Sequence, residues 1–331
     1  MRRRDFITFL VGGVAAGAFA ARAQQPTTPM RRVGMLMALL NDSEREIRVQ
    51  TFQRALRERG WVEGKNLQID YRWAVGDPER IRTYAAELVG FAPDVIVGTS
   101  TPVAMALRHA TQSIPIVFVA VTDPVVNGLV TNYAQPEGNF TGFTNFEVSM
   151  GGKWITLLKE IAPRTKRIGL VFNPAHVPTI KSYYAPSLDA TSHALGVELM
   201  DVPVCDPDEI GQAFDGLARQ SDVGVVVLPD LTTVRYRDLI VASSARFGCP
   251  AVYPYRYFAT AGGLLSYGID TVDLYSRAAA YVDRILRGAK PADLPVQLPT
   301  KFEFTINLKT AKMLGLEVPS TLLARVNEVF E

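Results

Sequence analysis

Three consecutive hydroxyl side chains, Thr99, Ser100 and Thr101, follow a buried apolar run and are followed by Pro102. Proline favours the first turn of a helix, where the backbone N–H groups have no partner within the helix. Hydroxyls and free N–H groups together can bind a carboxylate. The alternative is a polar N-cap that serves only its own helix. The sequence alone favours neither.

Two carboxylates also follow apolar runs. Asp123 and Asp230 could bind the ammonium or hydroxyl groups of a ligand, or they could cap a helix or turn. Ligands of open α/β sheets bind beyond the carboxyl ends of the strands. This rule selects the following candidate ligand-binding residues: Leu40, Asn41, Thr99, Ser100, Thr101, Thr122, Asp123, Asn173, Asp230, Tyr253, Tyr255 and Tyr267.

The segment 253–258 (YPYRYF) is unusually aromatic for a surface loop. Its tyrosines and Arg256 could hold a ring-shaped ligand by stacking and cation–π contacts. Half of these side chains are expected to belong to the core instead.

Catalytic and metal-binding patterns are absent from the sequence. It contains no G-x-S-x-G, H-E-x-x-H, G-x-G-x-x-G or P-loop motif, and its histidines, His109, His176 and His193, are scattered. We therefore expect a protein that is not an enzyme and that uses no cofactor or metal.

Short β-branched runs alternate with amphipathic helical stretches from residue 31 onward. Strands are predicted at 33–38, 67–73, 94–99, 114–121, 167–172, 197–204, 223–228, 251–253 and 263–267. Ser43 and Glu46 have the spacing of a capping box, and Asp77-Pro78 has that of an N-cap with proline at the first helical position. Helices are predicted at 180–195, 234–247 and 272–286, among others.

Nearly continuous apolar strands between amphipathic helices are typical of parallel sheets covered on both faces. The pattern runs twice, which predicts the α/β class with two doubly wound parallel-sheet lobes. The expected lobes are 30–143 plus 268–297 and 144–267 plus 298–331. Segments 138–142 and 262–263 are candidate hinges, and 290–297 is a candidate strap between the lobes.

Residues 1–23 have the pattern of a cleaved export signal. Three arginines precede the uncharged run 6–21, which is shorter than the roughly 20 residues of a spanning helix, and Ala21-Arg22-Ala23 suits a signal peptidase. Arg3-Arg4-Asp5-Phe6-Ile7 resembles a twin-arginine pattern. The mature chain is expected in the periplasm.

The formal charge of +2 belongs to this leader, which carries +3 and leaves −1 for the rest. No basic stretch of the mature chain is interleaved with aromatic residues, so nucleic acid is an unexpected partner. Cys205 follows one predicted strand and Cys249 precedes another, which places them at opposite edges of a parallel sheet, so they are expected to be buried free thiols.

Several longer motifs resemble those of one protein family. They are RRRDFITFL with AARAQQP, TDPV at 122–125 with GLV at 128–130, PEGNFTG at 136–142, LPD at 228–230, AGGL at 261–264 with SYG at 266–268, and PTKFE at 299–303 with INL at 306–308. Together they resemble the ABC-transporter substrate-binding proteins of the tryptophan/tyrosine-uptake type. Glu137 departs from the family pattern, which has glycine there.

The resemblance implies a type I periplasmic-binding fold, in which two lobes joined by a three-strand hinge close over a small ligand. It also implies a monomer that delivers its ligand to an ABC permease in the inner membrane. Characterised relatives take aromatic amino acids. Two alternatives remain open: a receptor that presents its ligand to a sensor kinase, and a periplasmic hydrolase or isomerase on the same architecture.

Overall fold

The apolar runs of the first half of the chain form a five-stranded parallel sheet. The computed structural model describes residues 29–39, 42–145, 147–175 and 180–331, and Arg31–Glu331 form one compact unit. The predicted leader lies outside the described residues. The first sheet has the order β2-β1-β3-β4-β5. Its strands are β1 (Arg31–Met37), β2 (Leu67–Trp73), β3 (Val95–Thr99), β4 (Ile116–Val121) and β5 (Phe140–Thr144).

The second half forms a seven-stranded sheet of order β12-β11-β10-β9-β8-β6-β7. All its neighbours are parallel except β10 and β11. The strands are β6 (Arg167–Phe172), β7 (Glu198–Pro203), β8 (Val223–Val227), β9 (Ala251–Tyr253), β10 (Leu265–Ile269), β11 (Phe302–Asn307) and β12 (Glu328–Phe330). The predicted α/β class with two parallel-dominated sheets is confirmed.

Helices connect the strands and cover the sheets. Alternate residues of β1 contact different helical layers: Val33 packs in the cluster that holds Phe52, and Leu36 packs in the one that holds Ile81. Such two-sided burial explains why the strands are apolar throughout. The helices are α1 (Ser43–Glu58), α2 (Pro78–Gly90), α3 (Thr101–Ala110), α4 (Met150–Ile161), α5 (Ile180–Leu195), α6 (Pro207–Ala218), α7 (Leu231–Arg235), α8 (Arg237–Arg246), α9 (Arg256–Thr260), α10 (Thr271–Leu286), α11 (Leu308–Met313) and α12 (Ser320–Leu323).

The chain passes between the two sheets three times. It leaves the first sheet after β5, returns between β10 and α10, and leaves again between α10 and β11. The run 294–297, part of the expected strap, lies beside β5: the Gln297 backbone N–H donates to the Gly142 carbonyl over 2.9 Å. Within the described residues, no helix combines the length and the apolar character that crossing a bilayer requires.

Four local predictions are corrected by the structure. Asp42, not Ser43, is the N-cap of α1, since its carboxylate accepts the Arg45 N–H at 3.1 Å. The helix expected at 234–247 is two helices that meet at Tyr236. The candidate hinge 138–142 contains the start of β5, and the chain leaves the first sheet only after this strand ends at Thr144. Cys205 is exposed because it follows the edge strand β7, whereas Cys249 is buried, and both are free thiols.

Glu137, where the family pattern has glycine, adopts a positive φ of 54° and is followed by Gly138 at 66°. This left-handed backbone is the conformation that glycine adopts without strain. The turn therefore keeps its shape with a side chain present.

Gly268 fixes the loop that follows β9 against β10. A Cβ built at Gly268 would lie 1.6 Å from the Pro254 carbonyl oxygen, a backbone atom that cannot move alone. Tyr255 is the next residue of that loop, so this close approach sets its position.

We expect Gly268→Ala to lower the free energy of unfolding by about 1–3 kcal/mol, because the loop must shift to admit the methyl group. Urea denaturation measures this change. Gly211→Ala in α6 is the control, since its Cβ would meet no described atom within 4 Å; it should leave stability unchanged or raise it by up to about 1 kcal/mol. Equal effects of the two substitutions would contradict the prediction.

Candidate functional site

The carboxyl ends of strands from both sheets face a common cavity of about 80 Å³. The first sheet and its connections contribute one wall, and the loops after β8 and β9 contribute the other. Helices α1 and α10 and the segment after β5 close the sides. The lining residues are Ala38, Leu39, Arg48, Thr99, Ser100, Thr101, Pro102, Ala120, Thr122, Asn145, Pro229, Asp230, Leu231, Val234, Tyr255, Tyr257, Thr271, Leu274 and Tyr275.

The three hydroxyls at the start of α3 all line this cavity, but they differ in their bonding. Thr99 Oγ1 accepts the Ala38 N–H at 3.3 Å, and Thr101 Oγ1 accepts the Thr122 N–H at 2.9 Å. Ser100 is the N-cap of α3 at a φ of 81°, yet its side chain makes no capping bond. Its Oγ is buried without a hydrogen-bond partner among the described residues. A buried hydroxyl left unpaired is costly, so Ser100 is available to a ligand.

Asp230 both lines the cavity and caps a helix. Its Oδ1 accepts the Thr233 N–H and its Oδ2 accepts the Asn173 N–H, each at 2.8 Å. Burial raises the pKa of this carboxyl to about 6, although these N–H groups oppose the shift. The expected helix cap is therefore confirmed for Asp230.

Asp123 and Asn173 lie outside the cavity lining. Asp123 accepts the Val126 N–H at 3.1 Å and so caps a turn. Asn173 is buried behind Asp230, and its Nδ2 donates to Thr232 Oγ1 at 2.8 Å. Its contribution is to hold Asp230 in place.

The aromatic segment divides between cavity and core, as the sequence indicated. Tyr255 and Tyr257 line the cavity and stack with ring centroids 5.2 Å apart. Tyr253 is buried against Phe258 instead.

Three further candidates stand elsewhere. Tyr267 stacks on Phe302 at 6.0 Å and does not line the cavity. Leu40 and Asn41 lie outside the described residues. Of the predicted ligand-binding residues, the structure thus brings together Thr99, Ser100, Thr101, Thr122, Asp230 and Tyr255.

The sequence and structure of this chain are similar to those of known substrate-binding proteins. Residues 32–330 match the family described as ABC transporter substrate binding protein. The chain belongs to this family. A tyrosine-binding protein of Clostridioides difficile (strain R20291) is 29% identical over 266 residues, which cover 80% of this chain and 76% of that protein.

Two solved structures of related proteins differ in whether they contain a ligand. The domain from Streptococcus pneumonia in complex with L-Trp is 26% identical, with a TM-score of 0.83 and coverage of 91% of this chain and 100% of that one. The ligand-free, open substrate-binding protein with adhesive properties from Clostridium difficile is 25% identical, with a TM-score of 0.68 and coverage of 91% and 99%. This substrate-binding protein thus resembles the liganded relative more than the open one.

Several lining residues were missed by sequence reasoning: Arg48, Asn145, Thr271 and Tyr275. A signal for Arg48 was present, because this charged residue shares the buried face of α1 with Phe52 at i+4 and Ala55 at i+7. Asn145 follows β5, and Thr271 and Tyr275 lie in the first turns of α10, beside crossings between the sheets that the sequence did not place. Within the described part of the chain, no group of three or more His, Cys, Asp or Glu residues could hold a metal ion.

A carboxylate cluster adjoins the cavity behind Tyr255 and Tyr257. Glu303 shares a second cleft with Glu44 and Asp270. Burial, together with the charges of Asp270, Glu44 and Glu328, raises the pKa of Glu303 from its ordinary 4.5 to about 7, while Arg256 opposes the shift.

This raised pKa makes stability depend on pH. The folded state holds the Glu303 proton more tightly than the unfolded state, so this contribution is complete below pH 4.5 and is lost as the pH rises through 7. Between pH 5 and 8, we expect the free energy of unfolding of Glu303→Gln to rise by about 1 kcal/mol relative to that of the wild type. This figure allows for solvent screening at a half-buried position.

Urea denaturation at pH 5, 6.5 and 8 measures the difference. Glu317→Gln, at an exposed carboxylate, is the control and should follow the wild-type profile. If the free energies of unfolding of Glu303→Gln and the wild type change with pH in parallel, the raised pKa of Glu303 is disproved.

Proposed function

We propose that this protein is the periplasmic receptor of an ABC importer. It captures a small polar ligand, an aromatic amino acid or an aromatic acid, between two lobes and delivers it to a permease in the inner membrane. The observation that carries the proposal is the cavity between the carboxyl ends of two sheets, with polar groups contributed by both. The protein acts as a monomer, and its binding free energy selects a closed state without chemical turnover.

Contacts across the cavity support closure as the binding mechanism. The Arg237 guanidinium of α8 donates to the Asp42 carboxylate of α1 over 2.8 Å, and both side chains are mostly buried. The Arg48 guanidinium carbon of the first body lies 5.4 Å from the Tyr257 ring centroid of the second. The greater similarity to the L-Trp complex than to the open relative agrees with a closed state. The moving bodies are residues 30–143 plus 268–297 and residues 144–267 plus 298–331.

The polar groups suggest an orientation for the ligand. Its carboxylate meets the start of α3, where Ser100 offers an unpartnered hydroxyl beside backbone N–H groups. Its ring lies against Tyr255 and Tyr257, which line the cavity and stack on each other. The names of two relatives, which mention tyrosine and L-Trp, favour a ligand of this size and character.

Export follows from the first 23 residues, whose basic head, short apolar run and Ala21-Arg22-Ala23 form a cleavable signal. The mature receptor therefore works in the periplasm, where its permease is accessible.

Native mass spectrometry of the mature protein from the periplasm tests this function. A small molecule that copurifies and is lost after denaturation and refolding identifies the ligand. Its addition to the refolded protein should reduce the radius of gyration measured by X-ray scattering. Absence of both binding and compaction across amino acids, aromatic acids and sugars would reject the receptor function.

Loss of the contact between Asp42 and Arg237 should open the closed state. We expect Arg237→Gln to weaken ligand binding about 3- to 10-fold through faster dissociation, because a partly buried charge pair across the cavity is removed. Stopped-flow fluorescence with the identified ligand measures both rates. Arg235→Gln removes the same charge from a neighbouring exposed site and is the control. An unchanged dissociation rate in Arg237→Gln would show that the pair does not hold the closed state.

A further inference from the structure

Arg48 places a buried positive charge at the wall of the cavity. It projects from α1, is only 4% exposed and lines the same space as the hydroxyls of α3. Its Nε and Nη2 donate to Thr271 Oγ1 over 3.3 and 3.0 Å. The neighbouring carboxylate and tyrosines keep the pKa of Arg48 above its ordinary value, although burial opposes this shift. The side chain is therefore charged.

The ion pair between Arg48 and its countercharge, Glu44, is long. Glu44 Oε2 lies 3.4 Å from Nη2, longer than the 2.7–2.9 Å of a strong charge-assisted hydrogen bond. The Tyr257 ring centroid, 5.4 Å from the guanidinium carbon, adds a cation–π contact. No hydrogen bond from Nη1 to a described residue is present. Because a buried charge is costly without close partners, the guanidinium retains capacity for an anion.

Arg48 and the hydroxyls of α3 lie near the same part of the cavity. Thr271, which accepts from Arg48, stands one turn before Tyr275 on the same face of α10. The Tyr275 hydroxyl interacts with Thr99. Arg48 and Thr99 thus contact residues of α10 that are one helical turn apart, about 6 Å of rise over four residues.

The negative side of the cavity is arranged differently. Asp230 is the one acidic residue among the lining side chains, and both its oxygens accept short backbone hydrogen bonds. Each Asp230 oxygen already accepts a backbone hydrogen bond, whereas the Arg48 Nη1 donates to no described residue. The unused donor at the cavity wall is therefore that of the guanidinium, which favours a ligand anion.

We propose that Arg48 is the specificity-determining residue that binds a ligand carboxylate, and that the ligand class is an aromatic carboxylic acid whose α-ammonium group is dispensable. The inference rests on the proposed receptor function and names the substrate class of that site. Ser100 and Thr271 complete the carboxylate site, and Tyr255 and Tyr257 receive the ring.

Two ligand series test this by titration calorimetry on the refolded mature protein. One comprises 3-(4-hydroxyphenyl)propionate, L-tyrosine and L-tyrosinamide, and the other indole-3-propionate, L-tryptophan and L-tryptophanamide. In at least one series, the two carboxylates should bind within about 10-fold of each other. The amide, which lacks the anion, should bind about 10- to 100-fold more weakly than the amino acid.

Variants connect this preference to Arg48. Arg48→Gln should weaken the carboxylates about 10- to 100-fold and leave the amides unchanged, and Arg48→Lys should restore part of the loss. Arg54→Gln, at an exposed position of the same helix, is the matched control. If Arg48→Gln fails to fold, the ligand series with the wild type still tests whether the carboxylate is required and whether the ammonium group is dispensable.

The outcomes separate the two proposals. An amide that binds as tightly as its amino acid overturns the role of Arg48. An amino acid that binds more than about 10-fold more tightly than its des-amino acid in both series overturns the ligand class. Both results leave the receptor function standing. No binding by any of the six probes overturns the ligand class, and the receptor function also falls if the wider metabolite panel gives no binding.

Discussion

The backbone hydrogen bonds that tie the crossing segments together are the interaction on which the rest of the structure depends. The Thr144 N–H donates to the Gln297 carbonyl, and the Asp270 N–H donates to the Lys301 carbonyl, each over 3.0 Å. The segment between α10 and β11 therefore lies beside both other crossings. Because these bonds join the ends of the two sheets, they determine which strand ends face each other and hence where the cavity forms.

The electrostatics of the cavity follow from this placement. Helix α1 of the first sheet contributes Arg48, and the loop after β8 of the second contributes Asp230, so opposite charges enter from opposite sides. Each must be stabilised because the surroundings are largely apolar. Backbone N–H groups do so for Asp230, while Arg48 relies on a threonine, a tyrosine ring and a distant carboxylate. This difference supports the carboxylate site that we propose at Arg48.

The closure that we propose involves residues that also stabilise local structure. Asp42 begins α1 by capping it and also accepts the hydrogen bond from Arg237 across the cavity. Asp230 begins α7 in the same way while its side chain lines the cavity. Helix starts lie at the carboxyl ends of parallel strands, so a residue that caps a helix can also face the cavity, as Asp230 does.

The sequence by itself determined the α/β class, most strand positions and the strand ends that carry polar groups. The periodicity of apolar residues and the capping residues are local signals, because each depends only on a few neighbours along the chain. The bounds of β2, β6 and β9 therefore agree with their predicted bounds. The same local rules missed β5, β11 and β12, because pairing with distant segments defines them; β5, for example, pairs with Gln297.

Only the tertiary structure decided which side chains share the cavity. Tyr255 lines it, whereas Tyr253, two residues earlier, packs in the core, because β9 ends between them and the chain turns. Arg48 is the clearest case, since its principal hydrogen-bond partner, Thr271, is 223 residues away. The burial of a charge depends on partners from other elements, and spacing along one helix does not specify them.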